Sequence, residues 1–92
     1  MTPPDEHLDA ALRKVRLYQR SQWVGNLTPA QAHALVDAGA TAAPNDIAWM
    51  KAGVQTGSQE TRWFYFAAGP ALKALLRARP ARHQALKAPA ET

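Results

Sequence analysis

The chain has 92 residues, which is enough for one domain and too few for two. Cysteine is absent, which excludes disulfides, zinc–thiolate sites and thiol nucleophiles and fits a reducing cytoplasm. Every apolar run is shorter than the roughly 20 residues that cross a bilayer, and the opening MTPPDEHLDAALRK lacks the pattern of a signal peptide. We therefore expect a cytoplasmic protein with no membrane partner.

Positive charge concentrates toward the C-terminal end of a chain whose formal net charge is +4. Residues 1–20 carry four basic and three acidic groups, residues 21–61 carry one and three, and residues 62–92 carry six and one. The three balances are +1, −2 and +5, which sum to the total. Such clustering is a usual footprint of a polyanionic partner, and it also suits a solvated surface that keeps a protein soluble.

Residues 5–24 predict a first helix. Apolar side chains recur at spacings of three and four along this segment, which places them on one helix face. Its acidic residues come first, where the positive end of the helix dipole favours them. Gly25-Asn26 is expected to end the helix, because both residues tolerate the left-handed conformation found at helix C-termini.

Two shorter helices are predicted next, over residues 27–39 and 45–53. Each is bounded by residues that suit helix ends by their side-chain hydrogen bonding or backbone freedom. In chain order these are Thr28 as N-cap, Pro29 in the first turn, Gly39 as C-cap, Asn45 or Asp46 as the second N-cap, and Gly53 as the second stop. The side chains expected to face inward are Ala32, Leu35, Val36, Ile47 and Met50.

Residues 54–66 predict a β-hairpin. Gly57-Ser58 is a turn signal, and candidate strands lie on both sides of it. The second strand, 61–66, is rich in the β-branched and aromatic residues that suit a pleated surface.

The run Trp63-Phe64-Tyr65-Phe66 holds four of the seven aromatic residues of the chain. Side chains alternate along a strand, so Trp63 and Tyr65 share one face and Phe64 and Phe66 share the other. Either one pair packs in the core while the other lies under a neighbouring helix, or one face is a contact surface.

Residues 68–80 predict a last helix that begins near Pro70 and stops at Pro80. Its apolar stripe comprises Ala71, Leu72, Leu75 and Leu76. The segment 81–92 is basic and Ala-rich, and we expect it to add a helical turn or two or to be a disordered tail.

The predicted order of helix, helix, helix, β-hairpin and helix resembles a known arrangement. Residues 27–79 resemble the small winged helix-turn-helix domains of the excisionase and MerR-like families, through LTPAQAHALV, NDIAWMKAG, VQTGSQETRWFYF and ALKALL. The resemblance implies a mainly α fold with a small β-hairpin, in one domain over residues 1–80 followed by the tail. It also implies a small DNA-binding regulator of transcription of bacterial, phage, plasmid or mobile-element type.

Double-stranded DNA is the partner that the resemblance implies. Phosphate contacts are expected from basic residues of the wing and the last helix, and base contacts from the exposed side of residues 45–51. The expected DNA-binding residues are Asn45, Lys51, Gln55, Arg62, Lys73, Arg77, Arg79 and Arg82. Each has a simpler interpretation as a helix cap, a partner of the helix dipole or a solvated surface charge.

Catalysis is not expected. His7, His33 and His83 lie in three separate segments without the spacing of metal ligands, so no metal site is predicted. The glycines form no phosphate-cradling loop, and no cofactor is predicted.

The alternative function is a small protein-interaction module that binds and inhibits or modulates a host protein. Trp23, Trp49 and Trp63 support it, since tryptophan is favoured at interface centres. The long first helix is extra to a minimal winged domain, and its outer face suits pairing with a second copy, so we also expect a homodimer.

Overall fold

The computed structural model describes residues 4–78 of the chain, and the side chains of residues 6–78. Helices and strands alternate irregularly along these residues. In order they are α1 (Pro4–Lys14), β1 (Arg16–Gln19), β2 (Gln22–Leu27), α2 (Pro29–Asp37), β3 (Ala40–Thr41), α3 (Pro44–Thr56) and β4 (Arg62–Ala68). A fourth helix, α4, covers residues 70–78.

The four strands form one antiparallel sheet in the order β1-β2-β4-β3. The central pair is β2 with β4, in register from Gln22 opposite Ala67 to Leu27 opposite Arg62. Both edge strands are short: β3 has two residues, and β1 has four with a register irregularity between Leu17 and Gln19.

The core lies on one face of this sheet. Phe64 and Phe66 of β4 are fully buried there, and they share one face as the alternation of the aromatic run predicts. All four helices contribute side chains to the same cluster, among them Leu12, Leu35, Met50, Leu72 and Leu76. The structure is therefore a mixed α/β domain, in which the described helices cover a single face of a four-stranded sheet.

The predicted helix over residues 5–24 is wrong beyond Lys14. Residues 16–27 form the β1–β2 hairpin instead, turning at Arg20-Ser21. The β-branched and aromatic residues of this segment favour the pleated surface over a helix. Gly25-Asn26 lies inside β2 and is no helix cap. A side chain at Gly25 would place its Cβ 2.7 Å from Cγ1 of Val15, so glycine lets the two segments approach.

The predicted hairpin over residues 54–66 is also wrong in its first half. Helix α3 continues through Gly53 to Thr56 and ends at Gly57, which adopts a left-handed φ of 72°. The strand that follows is β4, which pairs with β2 and β3 and not with residues 54–56. The winged arrangement is not confirmed, because this segment supplies one central strand in place of a two-stranded wing.

The predicted helix ends have mixed outcomes. Thr28 is the N-cap of α2 and Pro29 opens the helix, as predicted. The side chains of Thr28 and Gln31 also form a capping box. The C-cap is Ala38, and Gly39 follows it at a φ of 118°. The capping of α3 by Asn45 or Asp46 is wrong: Ala43 is its N-cap, without a side-chain hydrogen bond. Pro44 opens that helix with φ already set for a first turn.

Helix α4 begins at Pro70 as expected, but its buried stripe is narrower than predicted. Leu72 and Leu76 are buried, whereas Ala71 and Leu75 are exposed. The predicted stop at Pro80 and the tail 81–92 lie outside the described residues.

Gly53→Ala tests the close packing of α2 on α3. An alanine Cβ would overlap Cγ of Pro29, so we expect a loss of about 1–3 kcal/mol in the free energy of unfolding. In an uncrowded helix the same change would stabilise by about 1 kcal/mol. Urea denaturation measures the free energy of unfolding of the wild type and of the variant, with Ala52→Gly as the control at a neighbouring position. A stabilised Gly53→Ala variant would contradict the packing.

Candidate nucleic-acid interface

The described helices leave the second face of the sheet uncovered, and we call it the open face. Antiparallel partners project to the same side, so the register assigns residues of all four strands to it. Tyr18 joins them because its ring packs on Tyr65. The open face comprises Arg16, Tyr18, Gln19, Gln22, Val24, Asn26, Thr41, Trp63, Tyr65 and Ala67.

Three aromatic rings stand on the open face. Trp63 is 50% exposed, Tyr65 41% and Tyr18 56%. The Tyr18 and Tyr65 rings meet edge to face, with centroids 5.5 Å apart and planes at 72°, an arrangement that aromatic pairs prefer. Val24 pairs with Tyr65 across the strands and is buried although it is outside the core cluster. The rings therefore lie around a small apolar centre of their own.

Basic side chains gather at one end of the open face, which we call the basic end. A depression of about 630 Å³ lies where α1 passes into β1, and Arg13, Lys14, Arg16, Asn26 and Trp63 line it together with Val15 and Thr61. Cations at this place also suit the negative end of the α1 dipole.

The cations of the basic end differ in their partners. The Arg13 guanidinium lies 3.4 Å from the Asp9 carboxylate, one turn earlier in α1. The Lys14 ammonium donates a 3.1 Å hydrogen bond to Oε1 of Gln31, which is neutral, and it forms no ion pair with a residue of 6–78. Arg16 has no ion-pair partner within residues 6–78. Lys14 and Arg16 are thus the strongest candidates to bind an anion.

The opposite end of the open face, the polar end, carries amides and hydroxyls. Its depression has a volume of about 520 Å³. The polar side chains that line it are Gln19, Arg20, Ser21, Gln22, Thr41 and Asp46, and Tyr65 borders it toward the centre of the sheet. Asp46 is half-buried at the start of α3.

The sheet itself contains no acidic residue. The sequences of the four strands are RLYQ, QWVGNL, AT and RWFYFAA. Ring faces that bear partial negative charge therefore stand beside cations, with Asp46 as the acid at the far border. This pattern complements a ligand that combines flat rings with negative charge.

The residues predicted to contact DNA are not brought together on this face. Asn45, Lys51 and Gln55 are exposed on α3, whose charged side chains are Asp46 and Lys51. Lys73 and Arg77 are exposed on α4, one turn apart. Arg79 and Arg82 lie outside the described residues.

Arg62 belongs to the helix-covered side of the sheet. It lies opposite Leu27, and its Cζ is 4.5 Å from the ring centroid of Trp49 and 5.5 Å from that of Phe64. The guanidinium is therefore within cation–π distance of both aromatic rings, beside the buried Phe64.

The sequence reasoning missed Arg13 and Lys14 of the basic end, and most residues of the open face, among them Arg16, Tyr18 and Asn26. A usable signal was present in VRLYQRSQWV, in which β-branched and aromatic residues flank the polar Arg20-Ser21 turn. The apolar residues of the same segment also recur at helical spacing, which led to the prediction of a helix in place of this hairpin.

Comparisons with protein-family models, with curated proteins and with solved structures found no match for the chain. Within residues 4–78, no helix has the length and apolar character that crossing a membrane requires. The same residues hold no group of three or more His, Asp or Glu side chains placed to bind a metal ion.

Arg62→Ala tests the structural role of this side chain. Loss of the stacked cation should lower the free energy of unfolding by about 0.5–2 kcal/mol. Arg16→Ala, on the open face, should change it by less than about 0.5 kcal/mol. Urea denaturation of the two variants makes the comparison, and equal effects would contradict the difference in environment.

Proposed function

We propose that this chain binds single-stranded nucleic acid on the open face, with bases stacked on Trp63 and Tyr65 and phosphates beside Lys14 and Arg16. The observation that carries the proposal is the coincidence of exposed rings with cations that form no ion pair within residues 6–78, at a sheet whose four strands carry no acid. Proteins that bind single strands combine these two elements, a basic groove for the backbone and aromatic rings for the bases.

The spacing of the two central rings favours unstacked bases. Trp63 and Tyr65 are two residues apart in β4, which separates their Cα atoms by about 6.8 Å in a strand. Successive bases in a stacked strand are about 3.4 Å apart. Two neighbouring bases that each cover one ring must therefore be spread apart, as bases are in single strands bound by proteins.

A duplex fits this surface poorly. The ring faces of paired bases are covered by their neighbours in the stack and offer nothing to Trp63 or Tyr65, whereas groove readout requires a protruding basic element. Helix α3, the element expected to enter a groove, has Lys51 as its basic side chain. The proposal thus keeps a nucleic-acid partner and moves its site from α3 and α4 to the sheet.

A protein partner is the second candidate, and a separate surface favours it. Trp49 is 59% exposed and Val54 46% exposed on α3. Trp49 also borders a cleft of about 230 Å³ with Pro29, Gly53 and Phe64. Exposed tryptophan beside a cleft suits the centre of a protein interface. A host protein modulated by this chain would use this surface and leave the open face free.

Fluorescence-anisotropy titrations of labelled oligothymidine, oligouridine and a random-sequence DNA duplex test the proposal. We expect both single strands to bind more tightly than the duplex. Trp63→Ala and Tyr65→Ala should each weaken single-strand binding by about 5- to 150-fold, the value of one base–aromatic stack. Trp49→Ala, which removes an equally large exposed ring outside the open face, is the matched control and should leave affinity unchanged.

Salt dependence checks the cationic part of the site. Each phosphate neutralised on a single strand contributes about −0.7 to the slope of log K against log salt. Arg16→Ala should therefore make the slope shallower by about that amount, whereas Lys51→Ala should not alter it.

Two results would overturn the proposal. Duplex binding that Lys51→Ala abolishes and Trp63→Ala spares would return the site to α3. A dimer in light scattering that Tyr65→Ala dissociates, without oligonucleotide binding, would make the open face an interface between two copies.

A further inference from the structure

The strand register divides the open face into three cross-strand rows of different chemistry. The first row joins Asn26 to Trp63, and the second joins Arg16, Val24 and Tyr65. The third row joins Gln19, Gln22, Ala67 and Thr41 across all four strands. The first two rows offer a ring to each base, and the third offers hydrogen-bonding groups around a methyl side chain.

Stacking does not distinguish bases, because every base has a ring face. Identity is read through hydrogen bonds to base edges. Amide side chains both donate and accept, and a hydroxyl does the same. The third row and the residues that border it therefore form the part of the open face equipped to read a base.

Asp46 makes the polar end favour a base that donates a hydrogen bond. The carboxylate accepts hydrogen bonds and donates none. It lines the same depression as Gln22, and no hydrogen bond or ion pair joins it to another residue within 6–78. Its position in the first turn of α3 also suits the helix dipole. The dipole accounts for an acid in this turn and not for a preference among bases, so a binding experiment separates the two roles.

We infer that the open face reads base identity at its polar end alone, where Asp46 and Gln22 select a base that bears an exocyclic amino group over thymine or uracil. This inference rests on the proposed function. Cytosine presents its N4 amino group and adenine its N6 amino group as donors to the carboxylate. Thymine and uracil present a carbonyl oxygen at O4, which places acceptor against acceptor. The preference therefore includes a repulsive element against the wrong base.

The footprint follows from the same rows. One base on Trp63, one on Tyr65 and one at the polar end make three nucleotides. The phosphates at the first end lie beside Lys14 and Arg16, and Arg20 is the basic residue at the other. Trinucleotides should therefore fill the site in a single register, and longer strands should gain little beyond added charge.

Four deoxytrinucleotides, TTT, CTT, TCT and TTC, provide the test. Quenching of tryptophan fluorescence in a Trp49→Phe background reports binding, because Trp63 is then the more exposed of the two remaining indoles. We expect one terminal cytidine, and not the central one, to bind at least about fivefold more tightly than thymidine at the same place. Asp46→Asn should abolish that preference while leaving the affinity for TTT equal or higher. Asp37→Asn, the same change on α2, is the matched control and should retain it.

The outcomes separate the two proposals. Absence of binding to any trinucleotide or longer single strand would remove the proposed function and this inference with it. Binding without preference for any cytidine position, or a preference that survives Asp46→Asn, would overturn the inference and leave the function standing. An Asp46→Asn variant that loses stability in urea but keeps the preference would assign Asp46 to the helix dipole.

Discussion

The alternation of side chains along β4 is the constraint on which the rest of the structure depends. This strand lies in the middle of the sheet, between β2 and β3, and its odd and even residues have opposite environments. Phe64 and Phe66 are buried among side chains from all four helices. The same alternation forces Trp63 and Tyr65 to the opposite face. A domain this small has little apolar material to cover a second face, so its aromatic run supplies a core and an exposed surface together.

The surface acquires its chemical character from segments far apart in the chain. The end of α1 and the β1–β2 hairpin bring cations, β4 brings rings, and β3 with the start of α3 brings polar groups. Antiparallel pairing aligns these contributions into rows across the sheet. The proposed binding of single strands is based on this alignment, because rings, cations and hydrogen-bonding groups lie together on one face.

Sequence reasoning succeeded where the local residues were compatible with one type of secondary structure only. The N-cap at Thr28, the start of α2 at Pro29 and the two faces of the aromatic run were all predictable from neighbouring residues. It failed where one segment satisfied two periodicities. Residues 15–24 carry apolar residues at helical spacing and also the composition of a hairpin, and pairing with β4 decides between them.

The second wrong prediction was that Gly53 ends α3, and it affected where the binding site was expected. Gly53 has the appearance of a helix stop, yet α3 passes through it, and its lack of a side chain leaves room for Pro29. This contact lies between residues far apart in sequence, and no local pattern reports it. Because α3 extends to Thr56, the predicted wing does not form, and Arg62 lies beside the rings of Trp49 and Phe64. The net charge of residues 1–20 is only +1, because three acids early in α1 offset the four basic residues of 13–20. The net charge therefore gave no sign that these basic residues cluster.

The edges of the sheet bear on how the molecule associates with itself. Unpaired backbone groups along an edge strand are a template onto which another chain can add and grow into fibrils. Here one border is two residues long, and the other is interrupted after Leu17 and bears an arginine. Both edge strands are short or irregular, so the addition of further strands at either edge of the sheet is disfavoured. Short and irregular edges of this kind oppose the polymerisation that exposed rings would otherwise promote.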